Sequence, residues 1–259
     1  MEHNPDSSES LATADVDTAT SLCLLAGKIM LQSGAETSRV EDTMTRMAAS
    51  LGIPLSHSYV TPTGIIFQAG SEASSKLIRI AERTTDLQKV TAVNSVSRRL
   101  TNGTIQAAEA KQELLGIDRA AHAFPVWVLI AAASIASASF TIMFQGDWRD
   151  LIPSFISGGI GYSAVVYFHR LVKVKFFAEL FAAFLVGLVS MLLVQSGIGA
   201  QLDKIIIGSV MPLVPGLLIT NAVRDLMAGH LVSGLSRGAE AFLTAFAIGT
   251  GIAVLFIFF

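Results

Sequence analysis

Between Thr220 and Glu240 a largely apolar stretch carries Thr220, Asn221, Arg224, Asp225, Arg237 and Glu240. Spacings of three and four put Asn221, Arg224 and Asp225 on one helical face. A guanidinium there can attract a substrate carboxylate, an amide and a hydroxyl can hydrogen-bond its polar groups, and Asp225 or Glu240 can carry a coupling proton. Counted from Lys204 at 1.5 Å per residue, Arg224 lies about 30 Å along a helix, the depth of the inner edge of a bilayer core. An ionisable side chain costs about 2.5–3.5 kcal/mol at the centre of a span and much less at its end. The same residues therefore also read as interfacial ion pairs, Arg224 with Asp225 and Arg237 with Glu240.

Just ahead of them, PLVPG places Pro212, Pro215 and Gly216 in the same apolar run. Each proline removes a donor and clashes with the preceding turn, so carbonyls near Gly208 and Met211 lose their helical partners. Such a break has to face protein or a water-filled cavity. A broken helix near the midplane is where transporters bind substrate, and a proline kink used only for packing is the plainer alternative.

The elements that position these residues follow from composition. With 52% hydrophobic and 15% charged residues and a mean hydropathy of +0.59, the chain departs from soluble averages. Residues 1–123 hold 11 of the 18 Lys+Arg and 14 of the 20 Asp+Glu, so the polar half comes first. Past Phe124, five runs approach the length of a transmembrane helix: Phe124–Phe144, Leu151–Phe168, Phe176–Val194, Ile205–Val223 and Glu240–Phe259. Arg170, Lys173, Lys175, Arg224 and Arg237 occupy one set of connections, against Arg149 and Lys204 in the other. The positive-inside bias then orients the N-terminus inside and the C-terminus outside. Trp127 and Trp148 flank the first span, and Gly158, Gly159, Gly161, Gly249 and Gly251 permit close helix packing.

The first half reads as a cytoplasmic α+β domain over residues 17–123, after a disordered tail of residues 1–16, with the membrane domain over 124–259. A helix starts near Thr18 and ends at Ser33-Gly34. A second opens at Ser38, where Ser38 and Glu41 fit a capping box, and closes at Gly52. IPLSHSYV, GIIFQA and KLIRIAE read as a three-stranded meander, and helices resume over Asp86–Leu100 and Thr104–Leu115. Glu36, Arg39, Glu41 and Asp42 form a charged cluster that suits docking or sensing, or simply a solvated helix face.

Other chemistries find little support. GLSRG fits the nucleophile-elbow pattern, but no Asp or His follows Ser236 and the motif falls between two spans. No phosphate-binding loop of the Walker type occurs. His3, His57, His122, His169 and His230 are scattered without metal-ligand spacing, and the single Cys23 reads as a buried apolar residue, so neither a metal nor another cofactor is expected. A net charge of −2 gives no surface for nucleic acid.

SGAETSRVEDTM (33–44), TPTGI (61–65), VTAVNSVSRRLTNG (90–103) and VPGLLITNAVRDLMAGHLVSGLSRGAEAFLTAFAIG (214–249) together resemble the threonine/serine exporter family, in order and at natural spacing. Asn94 and Arg98, from the third stretch, join Glu36, Arg39, Glu41 and Asp42 as the candidate soluble-domain cluster. The resemblance implies a secondary exporter in a bacterial inner membrane. Its cargo would be a small hydrophilic metabolite: threonine and serine for the single-chain form, succinate for the two-component form. The sequence looks like the first, YjjP-type component, which implies a separately encoded membrane partner of several spans. A homo-oligomer enclosing its own path is the competing arrangement. A membrane-anchored regulatory subunit, or an enzyme with hydrolase-like activity in the soluble domain, is the alternative function.

Overall fold

The computed structural model describes residues 5–70, 73–121, 124–172 and 175–258. His3, His122 and Lys173, named above, lie outside the described residues. The chain divides into two compact units, one of residues 1–123 with Thr220–Arg237 and one of Phe124–Ile219 with Gly238–Phe259. The first is larger than the expected 17–123 domain, because it takes in a segment from the apolar half.

In the first unit, α1 (Pro5–Gln32) is followed by α2 (Thr37–Ser50), a three-stranded sheet, α3 (Leu87–Thr101) and α4 (Ala107–Arg119). The backbone of α1 is helical from Pro5, where a tail to residue 16 is expected; proline at a first helical position leaves unmade a bond that would be missing anyway. Gly34 (φ 91°) and Gly52 (φ 85°) end α1 and α2 in the left-handed region open to glycine. The meander appears as expected: β1 (Ser56–Thr61), β2 (Gly64–Ala69) and β3 (Lys76–Arg79) pair antiparallel in sequence order, with Val60 opposite Ile65 and Ile65 opposite Ile78. Asp86 caps α3 by accepting from the Lys89 amide at 3.2 Å. The core draws Leu22, Ile29 and Met30 from α1, Val40, Met44 and Met47 from α2, Ile65 and Phe67 from β2, and Val93 and Leu114 from α3 and α4. Cys23 is buried in this core, and burial pushes its thiol up to about 12, which fits an inert apolar role.

The second unit contains α5 (Val126–Met143), α6 (Leu151–Leu171), α7 (Lys175–Gln195), α8 (Leu202–Val210), the first turn of α9 (Gly216–Met227) and most of α10 (Leu231–Phe258). Among the described residues four helical segments are long and apolar enough to cross a membrane, Val126–Met143, Trp148–Leu171, Phe176–Gln195 and Leu231–Phe258. They become five if the pair formed by Leu202–Leu213 and Gly216–Met227, bent by 59°, is one span. Glycine packing holds at four of the five glycines singled out: a Cβ would collide with Ser137 at Gly158, Ser134 at Gly159, Val186 at Gly161 and the Leu180 carbonyl at Gly251. A Cβ at Gly249 would meet nothing within 4 Å among the described residues. Hydroxyls join the helices, Thr141 to Ser154 at 2.6 Å and Ser190 to Ser157 at 3.1 Å.

Candidate functional site

The proline break is real, but its carbonyls are not left bare. After α8 the chain takes one 3₁₀ turn over Met211–Leu213. Gly208 O accepts from the Met211 amide, and Met211 O accepts from the Val214 amide at 3.2 Å. Shorter-range bonds therefore replace the helical ones that Pro212 and Pro215 remove. Pro215 is buried, while Gly216 and Thr220 are exposed.

Beyond it, the polar residues of the 220–237 segment meet the turn between α1 and α2. An isolated α2 would begin with unpaired amide donors. The expected capping box does not form: Glu36 is the N-cap residue and no side chain of the helix itself caps it. Asp225, fully buried, supplies the cap from far away in sequence. Its Oδ1 accepts from the Thr37 amide at 2.9 Å and its Oδ2 from the Thr37 hydroxyl at 3.0 Å. Negative charge at a helix N-terminus is favourable as well as hydrogen-bonded. Arg237 Nε lies 3.2 Å from Asp225 Oδ2, and its guanidinium donates to Ala35 O at 2.8 Å. Asn221 Nδ2 donates to Gly34 O at 2.9 Å.

Arg237 is 3% exposed and Asp225 0%, so this is a buried ion pair with further hydrogen bonds, the arrangement that offsets the desolvation of both charges. Asp225 does not pair with its neighbour Arg224, as the spacing suggests; it pairs with Arg237, and Arg224 pairs with Glu36. Glu36 also holds Arg39 Nε at 3.0 Å, so one carboxylate gathers two arginines, and Arg224 remains more than half exposed.

Glu41 is released from capping. Its Oε1 accepts from the Val60 amide at 2.9 Å, and its Oε2 lies 3.8 Å from His230 Nε2. Burial pushes the Glu41 carboxyl above its usual range; the Val60 amide and His230 oppose the shift, while Asp225 adds to it. Ser233 donates to Val60 O at 3.1 Å, and a cavity of about 190 Å³ opens here between Tyr59, Val60 and Gly229–Ser233.

The remaining residues separate from this network. Asp42 pairs with Arg46 on an exposed face. Asn94 meets Thr43 at 3.5 Å, and Arg98 is exposed in the last turn of α3. Ser236 sits inside α10 and donates to Val232 O at 2.7 Å, so GLSRG is continuous helix and not a strand-turn-helix elbow. Among the described residues no group of three His, Cys, Asp or Glu could hold a metal ion.

Sequence reasoning passed over two anchors. Thr37 and the Gly34–Ala35 carbonyls are unremarkable by type, and nothing local marks them as partners of residues near 225. Asp150, fully buried, accepts from the Asp147, Ala200 and Gln201 amides at 3.0, 2.7 and 3.1 Å, tying the segment before α8 to the start of α6. An acid directly before the start of an apolar run was the available signal.

The family model described as putative threonine/serine exporter matches residues 21–259. The chain is 25% identical over 239 residues to the probable succinate transporter subunit YjjP of Klebsiella aerogenes, covering 90% of this chain and 91% of that protein. The YjjP of Escherichia coli is 24% identical with the same coverages. A probable threonine/serine exporter of Mycobacterium tuberculosis is 22% identical over 86% of this chain but only 43% of its own length. No solved structure matches. With several helices apolar enough to span a bilayer and a match over most of its length, the chain is a multi-pass membrane protein of the putative threonine/serine exporter family.

Proposed function

We propose that this chain is one subunit of a secondary exporter that moves a small carboxylate-bearing metabolite, succinate or an amino acid such as serine or threonine, out of the bacterial cytoplasm across the inner membrane. The observation that carries this reading is coverage: the chain matches nearly the whole of a protein named as a transporter subunit and less than half of one named as an exporter. The polar unit lies in the cytoplasm and the C-terminus outside, as the distribution of Arg and Lys favours.

The residues divide the work. Arg224 and Thr220 on α9 are exposed and present a guanidinium and a hydroxyl suited to a carboxylate, close in sequence to the break at Pro212, Pro215 and Gly216. Asn221, Asp225 and Arg237 hold that segment on the α1–α2 turn, while Glu36 and Arg39 set the charge around Arg224. Glu240, early in α10, remains a candidate for the path.

Efflux of labelled succinate, serine and threonine is compared in cells that carry the chain, a candidate membrane partner, or both. Arg224→Gln is expected to lower efflux at least several-fold at unchanged membrane abundance. Efflux that stays at the wild-type level removes Arg224 from the path, and no efflux of any of the three carboxylates with both subunits present overturns the exporter reading.

A further inference from the structure

Glu179 lies in the second turn of α7, in the third apolar segment, among the fully buried Ala178, Ala182 and Ala183. It is itself 5% exposed. Its Oε1 faces His169 Nε2 of α6 at 3.4 Å, and its Oε2 has no hydrogen-bond partner among the described residues. A carboxylate can accept at both oxygens, and a carboxyl group donates from one. An oxygen that is buried and bare in an apolar segment is costly for a purely structural acid, and intramembrane ionisable groups mark ion and proton pathways. The imidazole beside it is different: it lies in the last turn of α6, at the end of the second apolar segment, where a titratable side chain reaches interfacial water.

Other charged groups stand on the packed elements. On α6, Arg170 follows His169 and is exposed, and Tyr162 lies about two turns earlier. On α7 itself, Lys175 stands about one turn before Glu179. Asp203 and Lys204 of α8 pair with each other at 3.7 Å, shortly after the far end of α7. On α10, Gly251 packs on the Leu180 carbonyl, which places Glu240 about 16 Å earlier along that helix.

We propose that Glu179 and His169 form a proton-binding dyad in the membrane-spanning unit. A proton on imidazolium Nε2 transfers to a Glu179 carboxylate oxygen, the N–H bond breaking as the O–H bond forms, so an ion pair becomes a neutral pair with no change in electron count. The 3.4 Å separation is a small side-chain adjustment from hydrogen-bond distance. Oε1, the oxygen facing His169, takes the proton, and rotation of the carboxyl group then turns that O–H to the side where Oε2 now stands without a partner. The dyad stands whether or not a carboxylate is the cargo, because its test uses no substrate.

Infrared difference spectra between low and high pH are recorded on the purified full-length chain in lipid nanodiscs. The wild type is expected to show a pH-responsive carboxylic-acid C=O band that Glu179→Gln abolishes. His169→Gln, which removes the titratable neighbour, is expected to move the midpoint of that band measurably. If E179Q does not assemble, H169Q, which alters the half-exposed member, decides by the midpoint alone. Spectra in which E179Q removes no pH-responsive carboxylic-acid band, or a midpoint of the Glu179 band unmoved in H169Q, overturn the dyad.

Discussion

Asp225 and Arg237 show how two charges survive in an apolar half of a chain: each is the other's counter-charge, and both hydrogen-bond the backbone of a turn that would otherwise carry bare donors and acceptors. Removing one member leaves the other buried without its counter-charge, at a cost of about 3–5 kcal/mol. Arg237→Ala and Asp225→Ala are therefore expected to lower the unfolding temperature of the detergent-solubilised chain strongly, and the double variant to recover part of the loss. Arg224→Ala, which removes a mostly exposed group from the same neighbourhood, is expected to cost far less. Equal losses for Arg224→Ala and Arg237→Ala would contradict the burial difference. Glu41 gives a second test. Its carboxyl is raised in the folded chain, chiefly by burial, so the folded state binds that proton more tightly than the unfolded state does. Its contribution is then largest at or below the ordinary carboxylate range and declines as pH rises through the raised value. Glu41→Gln keeps an acceptor for the Val60 amide and is expected to flatten stability against pH in that window. A stability profile as steep in the variant as in the wild type would assign the pH dependence to other groups.

Among the elements, α5, α6 and α8 approach one another through glycines. A Cβ at Gly208 would strike Thr141 and the Ser137 carbonyl, and one at Gly158 would strike Ser137. Gly208→Val and Gly158→Val force backbones apart, with an expected loss of about 1–3 kcal/mol and lower membrane abundance. Gly249→Ala, in open space, is expected to be neutral, and fluorescence-detected size exclusion of the three variants separates the cases. The glycines were legible because small residues in an apolar run have one common use; only packing distinguishes Gly249 from Gly251. The strands and their turns were legible because their periodicity and turn residues are local. The cap on α2 was not. Ser38 and Glu41 have capping-box spacing, yet the helix starts at Thr37 and its donor is met by an acid 188 residues away. The three-and-four spacing of Asn221, Arg224 and Asp225 correctly placed them on a helix, but the partner of each is set by tertiary packing. Arg224 and Asp225 are neighbours in sequence and pair with different residues, Glu36 and Arg237.

For the whole molecule, the segment Thr220–Arg237 belongs to one compact unit while the helical residues on either side of it belong to the other. Its charged and amide groups contact the α1–α2 turn, leaving Arg224 as the exposed guanidinium of the set. In the membrane-spanning unit, a groove of about 600 Å³ is lined by Ile130, Phe155, Ile160, Tyr167 and Leu185, with Ser134 and Ser163 as its only hydroxyls besides the tyrosine. That surface suits hydrocarbon and not a dicarboxylate or a zwitterion. A hydrophilic cargo needs a polar path enclosed from lipid, and transporters commonly build one between two related halves with discontinuous helices at the interface. The break at Met211–Pro215 makes a bent, discontinuous helix pair, and the exporter from Mycobacterium tuberculosis extends well beyond the part matched here. A second membrane protein is therefore expected to complete the path. Purified alone and reconstituted in vesicles loaded with labelled succinate, serine or threonine, the chain is expected to release none of them above the rate of empty vesicles. Co-expression with the partner should allow both to be recovered together and should give saturable release. Saturable efflux by the purified chain alone would show that it encloses its own path, as a monomer or as a homo-oligomer, and would remove the need for a second polypeptide.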